Sequence, residues 1–372
     1  MTKTRLNIMH IDTEKGWRGG EAQVFLLCEG IQKLNHNQIV VAQPDSPLAK
    51  KSREIGLDVL EIKMNGELDL RAARSLRKVI KAKGIDICHA HTSHAHTLAL
   101  LSTYKMSKPL VVVSRRVDFK VGKNPFSKMK FRNTDHIIAI SNGVKDVLVN
   151  SGINEEKISI VFSGIDIKKY DKEIEVGKIR REFGIPPGAI LVGNVAQLVD
   201  HKGHKYLIDA AKTVLSKIPG IYFMIVGDGE LEETLRKQIT ANNLENHVIL
   251  AGYRDDVENF LKDFNMFVMS SHLEGLCTSI LDALLMGLPV VATDTGGIPD
   301  IIIDGETGLL AVPRDSASLA ECIIKMINNE ELQKKFINNG KNRVKKCFSS
   351  DLMVKSIEQI YYELIGWKKT GW

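Results

Sequence analysis

The chain has 372 residues, of which 44% are hydrophobic and 26% are charged. This composition is typical of a soluble globular protein, and the length fits two domains of ordinary size. Five scattered cysteines form no C-x-x-C pair, which favours a reducing cytoplasm. The apolar stretch near the N-terminus is too short for a signal peptide, and no run approaches the ~20 apolar residues of a membrane-spanning helix.

Charge is distributed unevenly along the chain. Residues 1–170 carry 28 lysines and arginines against 17 acidic residues, whereas the remainder is net acidic. The excess is densest in the segment Leu101–Arg132, where nine basic residues accompany Asp118 alone. Such a segment attracts phosphate-rich partners or an anionic membrane surface.

The first predicted elements are a strand, a glycine-rich turn and a helix. Leu6–Ile11 has the apolar pattern of a strand, and the turn through Gly19 and Gly20 precedes a helix that starts near Ala22. The turn lacks a full G-x-G-x-x-G, so it is a weak dinucleotide signal. Its glycines would let the backbone approach a ligand closely, although a simple tight turn remains an alternative.

Strands and helices then alternate through both halves, which favours parallel sheets covered on both faces. Further strands are predicted at Gln38–Ala42, Asp58–Ile62, Asp86–Ala90, Leu110–Val113, His136–Ile140, Ile158–Phe162, Ile190–Val195, Ile221–Val226, Val248–Leu250, Phe264–Met269 and Pro289–Thr293. The charged, Pro- and Gly-containing stretch Lys168–Pro187 indicates a hinge near residue 170. We therefore expect one doubly wound domain over 1–168 and another over 169–351, and a helix over about 352–372 that is a candidate to pack back onto the first domain.

The segment from Ser270 to Asp282 carries the strongest functional signal. A buried strand ends at Met269, a short loop contains Glu274, and a helix is predicted to begin with Thr278 as its N-cap. At such a junction, backbone N–H groups and the positive end of the helix dipole face a ligand. The groups expected to offer N–H donors to a phosphate are those of Leu276, Cys277 and Thr278. Glu274 would suit a sugar hydroxyl.

These motifs together resemble a known enzyme family. The segments Ser270–Gly275 with Asp282, Gly287–Thr293, Gly296–Pro299 and Asp304–Leu310 are similar to the second domain of retaining glycosyltransferases of family four, and Gly19-Gly20 and His89-Ala90-His91 extend the likeness to the first half. The resemblance implies the GT-B fold, with two Rossmann-like domains facing a central cleft. It also implies a sugar nucleotide bound mainly by the second domain and an acceptor bound mainly by the first.

The two-carboxylate motif of that family corresponds to Glu274 and Asp282. By resemblance, Glu274 contacts the donor sugar and Asp282 contacts the ribose of the nucleotide. The family usually has glutamate at the second position, so Asp282 is one methylene shorter and the nucleotide or helix must move to meet it. A solvated helix carboxylate is the alternative for Asp282, and a loop charge is the alternative for Glu274.

The diphosphate position of the family matches Lys202, but its partner cation is missing. Where the family usually has arginine, this chain has Gln197, and a neutral amide stabilises a leaving diphosphate less well than a cation does. Three alternatives are open: Arg18 or His201 substitutes for the missing cation, catalysis is slower, or transferase activity is lost. Lys202 could also be an ordinary surface lysine.

The histidine-rich segment from Cys88 to His96 follows a predicted strand. By resemblance, His91 is the residue nearest the donor sugar, whereas we expect His89 to be structural. A plain loop histidine is the alternative for His91. Zinc is a rival interpretation, because His89, His91, His94 and His96 lie close in sequence. We expect no metal site, since Cys88 alone adds a further ligand type nearby.

Further donor-binding residues are assigned by resemblance. The family likeness places Gly19, Gly20, Gly227, Gly275, Tyr253 and Arg254 at the donor, with Tyr253 and Arg254 beside the base. The implied activity is a retaining, metal-independent glycosyltransferase without a cofactor, which joins a sugar from a nucleotide-sugar donor to a lipid-linked or cell-surface glycan such as lipopolysaccharide. Alternatives are a catalytically impaired sugar-nucleotide-binding protein and a sugar-nucleotide epimerase.

The basic segment suggests where such an enzyme acts. Phe119, Phe126, Met129 and Phe131 alternate with Lys120, Lys123, Lys128 and Lys130, a pattern typical of an interfacial segment. We expect a cytoplasmic protein that docks peripherally on the anionic inner face of the membrane, with no nucleic-acid partner. The alternative is a solvated lysine-rich loop whose phenylalanines belong to the core.

Overall fold

The computed structural model describes residues 4–119, 121–122, 124–171 and 173–370. The chain folds into two compact units. One runs to Asp166 and resumes at Ser350, and the other spans Ile167–Ser349. The chain therefore leaves the first unit once and returns to it with its last helix.

The first unit is built on a parallel sheet that has seven strands among the described residues. These are β1 (Asn7–Ile11), β2 (Asn37–Ala42), β3 (Asp58–Glu61), β4 (Ile87–Ala90), β5 (Leu110–Arg115), β6 (His136–Ala139) and β7 (Ile158–Ile160). Their order is β3-β2-β1-β4-β5-β6-β7, so the direction of strand addition reverses between β1 and β4. In open parallel sheets, ligands bind beyond the carboxyl ends of the strands at such a reversal.

Helices connect these strands and cover the sheet. They are α1 (Gly19–Lys33), α2 (Pro47–Glu54), α3 (Leu70–Lys83), α4 (Ser93–Thr103), α5 (Pro125–Arg132) and α6 (Asn142–Asn150). Local chemistry fixes their ends: the Asp69 carboxylate accepts hydrogen bonds from the N–H groups of Arg71 and Ala72 at the start of α3, and Gly84 ends that helix in the left-handed conformation. Helix α1 begins at Gly19, so the two glycines form its first turn and do not precede it.

The second unit repeats the plan with six strands among its described residues. The strands are β8 (Leu191–Val195), β9 (Tyr222–Val226), β10 (Val248–Gly252), β11 (Met266–Met269), β12 (Val290–Thr293) and β13 (Leu309–Ala311). The helices are α7 (Lys178–Glu182), α8 (His204–Lys217), α9 (Glu232–Ala241), α10 (Val257–Asp263), α11 (Thr278–Met286), α12 (Ile298–Ile301), α13 (Ser316–Ile327) and α14 (Glu330–Cys347). The order β10-β9-β8-β11-β12-β13 reverses between β8 and β11.

The predicted fold class, two doubly wound α/β domains, is confirmed. Strand β13, Leu309–Ala311, was not predicted. It pairs in parallel with β12 and forms that edge of the sheet.

The last helix, α15 (Ser350–Thr370), packs on the first unit. Its apolar face includes Val354, and a Cβ placed on Gly30 of α1 would lie 2.3 Å from the Val354 Cγ2 atom, so the two helices approach closely. Glu358 of α15 pairs with buried His36 at 3.0 Å. Within the described part of the chain, no helix is both long and apolar enough to cross a bilayer.

Candidate active site

A lysine and a glutamate meet at the strand-order reversal of the second unit. Lys202 follows β8 and ends a short 3-10 turn, whereas Glu274 follows β11. The Lys202 Nζ atom lies 2.5 Å from Glu274 Oε2, and the two side chains are only 18% and 10% exposed. The pair therefore occupies the edge where a parallel sheet binds ligands, with both charges partly withdrawn from water.

The turn that carries Lys202 is fixed against the loop after β11. Gly203 has a φ of +66°, and a Cβ there would lie 2.1 Å from the Ser270 carbonyl oxygen, so only glycine fits. The Ser270 hydroxyl donates to the Lys202 carbonyl at 3.0 Å, and the His272 N–H donates to the His201 carbonyl at 2.9 Å. These contacts hold the lysine backbone at a set distance from the glutamate.

The loop that carries Glu274 is equally constrained. The Ser271 hydroxyl donates to Glu274 Oε2 at 3.2 Å, and the Thr293 hydroxyl of β12 donates to the Ser271 carbonyl. The Gly297 N–H donates to the Glu274 carbonyl at 3.0 Å. The carboxylate is thus oriented by a hydroxyl and a cation before any ligand binds.

Helix α11 begins just beyond Glu274 and Gly275. Its N-cap is Cys277, so the predicted cap at Thr278 was wrong by one residue. Cys277 makes no side-chain cap bond, because its buried side chain carries a thiol and no oxygen acceptor. The N–H groups of Leu276, Cys277 and Thr278 therefore lie at a helix end that no N-cap oxygen occupies, where an anion is favoured.

Three of the predicted donor residues follow neighbouring strands. Gly227 follows β9 with a φ of +143°, and a Cβ there would lie 2.1 Å from the Ala196 carbonyl and 3.6 Å from the Gln197 nitrogen. The Gly227 N–H donates to the Gly252 carbonyl at 2.8 Å. Gln197, Gly227 and the 65% exposed Tyr253 thus line the carboxyl ends of β8, β9 and β10.

Arg254 is already paired in this structure. Its guanidinium bonds to Glu182 and to Asp256, with Nε 2.8 Å from Asp256 Oδ1, and it stacks 4.8 Å from the centre of the Phe260 ring. These hydrogen bonds raise the pKa of Arg254 and lower the pKa of Asp256. A contact between the Arg254 side chain and a base would have to compete with this network.

Asp282 lies on α11 and is held by residues from the start of the second unit. Its Oδ1 atom accepts a hydrogen bond from the Tyr170 hydroxyl at 2.5 Å and another from Lys169 Nζ at 3.0 Å. Burial and the adjacent carboxylate raise the pKa of Tyr170. Both bonds go to one carboxylate oxygen, and no contact recorded among the described residues engages Oδ2.

In the first unit, His91 belongs to a buried cluster of three imidazoles. His10 of β1 lies opposite His89 of β4, and His10 Nδ1 is 3.1 Å from His91 Nε2. His89 bonds to the Tyr361 hydroxyl at 2.5 Å and to the Ser114 hydroxyl at 2.8 Å. Burial lowers the pKa of His10 to about 3 and lowers the pKa values of the other two, so all three rings are neutral near pH 7.

This cluster is not the set of histidines that the sequence suggested as zinc ligands, because it includes His10 and lacks His94 and His96. His10, His89 and His91 place one nitrogen each within 4.8 Å of one another. Both nitrogens of His89 are used by Tyr361 and Ser114, so a metal would have to displace one of these bonds. His96 instead bonds to Thr134 at 2.6 Å.

Charged groups surround the glycine turn of the first unit. Arg18 is the N-cap of α1, and its N–H donates to Glu21 Oε2 at 2.7 Å. Arg116 follows β5, and a Cβ on Gly20 would lie 4.0 Å from its Cδ atom. Burial raises the pKa of the Asp12 carboxyl to about 7 and lowers the pKa of Arg116 to about 10.

The basic segment Leu101–Arg132 contains both exposed and buried apolar residues. Phe119 and Met129 are 50% and 53% exposed and Phe126 is 38% exposed, whereas Phe131 belongs to the core. Lys120 and Lys123 lie outside the described residues. Neither the interfacial interpretation nor the core interpretation therefore fits all four apolar side chains.

Sequence reasoning missed His10, Lys169 and Tyr170. His10 contacts His91 only because β1 pairs with β4 in the observed register, which the sequence of one strand does not reveal. Tyr170 and Lys169 reach Asp282 from 112 and 113 residues away, without any local pattern.

Two family models match the chain. "Glycosyltransferase Family 4" matches residues 17–169, and "Glycosyl transferases group 1" matches residues 175–343. Together they cover most of both units.

Individual relatives agree with these matches. An uncharacterized glycosyltransferase of Methanocaldococcus jannaschii is 31% identical over 296 residues, which cover 77% of this chain and 78% of that protein. The UDP-Gal:alpha-D-GlcNAc-diphosphoundecaprenol alpha-1,3-galactosyltransferase of Escherichia coli is 26% identical, with 80% of each chain covered. The crystal structure of HepE from Anabaena in complex with UDP and glucose superposes with a TM-score of 0.82 at 20% identity and covers 96% of this chain and all of that one.

The buried histidines predict how stability depends on pH. Because the pKa of His10 is about 3 in the fold and 6.5 when unfolded, only the unfolded chain binds a proton there as the pH falls below 6.5. Between pH 7.5 and 5.0 the native protein should therefore lose about 2 kcal/mol more of its free energy of unfolding than His10→Asn loses. Urea unfolding at both pH values measures the difference.

Comparison with His10→Asn cancels the contributions that other titrating groups make to the pH dependence of stability. Asp12 acts in the opposite sense, because its raised pKa makes the folded state bind a proton first as the pH falls through 7. That contribution is common to both proteins. Equal acid losses in the two would contradict the assignment of a neutral, buried His10.

Proposed function

The chain belongs to the group 1 glycosyltransferases and has the GT-B fold, and we propose that it moves a sugar from a nucleotide-sugar donor to a glycan or glycolipid acceptor with retention at the anomeric carbon. One observation carries the proposal: Lys202 and Glu274 are in contact at a strand-order reversal, close to the N-terminus of α11. A cation, a carboxylate and helix N–H groups in one crevice suit a sugar joined to a diphosphate.

On the donor side, each group has a distinct proposed task. Lys202 and the N–H groups of Leu276, Cys277 and Thr278 hold the diphosphate, and Glu274 accepts hydrogen bonds from hydroxyls of the sugar. Asp282 accepts a bond from the ribose. The base lies along the strand ends that carry Gln197, Gly227 and Tyr253.

The proposed reaction is a front-face substitution. The bond between the anomeric carbon and the diphosphate oxygen breaks, and its electron pair goes to the diphosphate. The acceptor hydroxyl forms its bond to the same face of the sugar, and its proton goes to the departing phosphate oxygen. Lys202 and the helix N–H groups stabilise the charge that develops on the leaving group. His91 is assigned to the donor sugar, and the scheme uses no metal or redox cofactor.

UDP-sugars are the first donors to test. The name of the E. coli relative contains UDP-galactose, and the HepE crystals contain UDP and glucose. The acceptor of the E. coli relative is a sugar attached to diphosphoundecaprenol. These two proteins support a UDP-sugar donor and a lipid-linked acceptor as the starting hypothesis for this chain.

A sugar-nucleotide-binding protein without turnover is the second candidate. It is favoured by Gln197, which replaces a cation with an amide, and by the Asp282 oxygen already occupied by Tyr170 and Lys169. Purified protein incubated with a UDP-sugar distinguishes the candidates, because a transferase hydrolyses the donor slowly without acceptor whereas a binder releases no UDP.

We further propose that the enzyme works in the cytoplasm on the inner face of the membrane. Phe119, Lys128 and Met129 are all exposed within the basic segment, so apolar side chains can enter the headgroup layer while the ammonium group meets phosphates. Phe131 takes no part in this surface, because it packs in the core.

Glu274 and Lys202 should fail in different ways when replaced. Glu274→Gln should suppress donor hydrolysis and transfer without any loss of UDP affinity, because its carboxylate is assigned to the sugar. Lys202→Ala should weaken UDP binding by about 1.5–3 kcal/mol, the usual contribution of a charged hydrogen bond. Isothermal titration with UDP and assays of UDP release measure the two effects.

Lys205→Ala is the matched control for the lysine. Lys205 lies two residues past Gly203, is 50% exposed and pairs with Asp200 on the surface, so UDP affinity should not change. Parallel loss of UDP affinity and activity in Glu274→Gln, or unchanged UDP affinity in Lys202→Ala, would overturn the assignment.

Membrane docking should depend on the exposed part of the basic segment. Anionic vesicles should sediment the native protein at low salt and release it as salt rises, since each basic residue near such a surface contributes about 1 kcal/mol. The variant Phe119→Ser, Lys128→Glu, Met129→Ser should remain in the supernatant. A control variant with Val312→Ser and Lys217→Glu in the second unit should sediment like the native protein. If the triple variant and the control sediment equally, an acceptor in solution becomes the better hypothesis.

A further inference from the structure

A groove of about 940 Å³ lies beside the carboxyl edge of the first unit's sheet. One wall is the loop and first turn that lead from β3 into α3, and the other is Phe126 of α5. These segments follow the carboxyl ends of β3 and β5, so the groove opens on the edge of the sheet where ligands of open α/β folds bind.

Hydrogen bonds and an ion pair connect the two walls of the groove. Lys130 of α5 is buried and donates to the Ser93 carbonyl at 2.7 Å, and its Nζ lies 3.6 Å from Glu67 Oε1. The Ser93 hydroxyl also donates to Glu67 at 3.1 Å. Ser93 is the first residue of α4, two positions beyond His91, so the same contacts tie the groove to the segment that carries His91.

The groove exposes an unusual amount of apolar surface. Leu68 is 67% exposed, Leu70 is 54% exposed and Phe126 is 38% exposed, and all three line it. Contiguous exposed apolar side chains on a globular protein generally mark a surface that binds something. The nearby lysine of α5 cannot serve such a ligand, because Lys130 already neutralises Glu67.

Two arginines border this apolar surface. Arg71 and Arg74 lie three residues apart on α3, where side chains share a face, and both are exposed and line the groove. The acidic residue between Leu68 and Leu70, Asp69, is engaged as the N-cap of α3 and also accepts from the Asn65 N–H at 3.1 Å. The guanidinium groups are therefore the charges available to a ligand, and their geometry suits phosphate.

We propose that this groove binds the lipid diphosphate of the acceptor: a long isoprenoid-like chain against Leu68, Leu70 and Phe126, with its diphosphate at Arg71 and Arg74. An apolar wall beside two guanidinium groups matches an amphiphile with an anionic head, and neither a free glycan nor a protein-bound one offers both parts. The inference deepens the proposed function and rests on it, since the sugar carried by such a lipid must reach the edge of the sheet near His91.

Binding of geranylgeranyl diphosphate below its micelle concentration tests the groove. Titrations contain excess UDP, whose own binding is measured first, so that the donor site is occupied and its failure is detected separately. The native protein should bind geranylgeranyl diphosphate at least tenfold more tightly than dimethylallyl diphosphate, which has the same head and a short chain. Leu68→Ser with Leu70→Ser should remove that preference, and Arg71→Gln with Arg74→Gln should weaken both ligands about tenfold.

Matched controls use the same substitutions elsewhere. Leu352→Ser changes an exposed leucine of α15, and Arg236→Gln changes an exposed arginine of α9, and neither should alter binding. Equal affinity for the long and short chains, or an equal loss in the controls, would overturn the proposal even if UDP binds normally. Absence of UDP binding with an intact chain-length preference would instead remove the donor assignment and leave the groove as a lipid diphosphate site.

Discussion

The ion pair between Lys202 and Glu274 is the constraint on which the second unit's site depends. Two partly buried charges 2.5 Å apart satisfy one another, and either alone would carry an uncompensated desolvation cost. The conformations of the surrounding loops bring these two side chains together. Gly203 lets one loop pass close to Ser270, and Ser271 orients the carboxylate. A diphosphate that takes over Lys202 would release Glu274 for sugar hydroxyls, so donor binding and carboxylate availability are linked by one exchange of partners.

The sheet topology explains why such different residues meet. In each unit, the reversal of strand order places two loops side by side at one edge. The second unit brings Lys202 and Glu274 to that edge, and the first brings His10 and His91. The histidines are neutral because they are buried, whereas the lysine and glutamate are held as a pair, so the two units offer chemically distinct surfaces. That division suits a reaction in which one partner is a phosphate ester and the other is not charged at its reacting group.

Much of the fold, and the positions of Lys202 and Glu274, could be predicted because strand ends and helix starts have recognisable local sequence patterns. Apolar runs that stop at polar residues indicated most strands, and the positions of Lys202 and Glu274 followed from a motif. Residues that act through long-range contacts have no such pattern, as Tyr170 at Asp282 illustrates. The N-cap of α11 was misplaced because Thr278 is a common cap residue and Cys277 is not, while the geometry of the loop decides which one takes the position.

A double-mutant cycle on UDP affinity tests the central claim that Lys202 is shared between Glu274 and the donor. The cycle compares the native protein, Lys202→Ala, Glu274→Gln and the double variant by isothermal titration. If the lysine must leave the carboxylate to bind the diphosphate, Lys202→Ala should cost more UDP affinity in the Glu274→Gln background than in the native background, by about 0.5–3 kcal/mol for residues in contact. An equal or smaller cost in that background would show that the pair and the nucleotide do not compete, and would contradict the account.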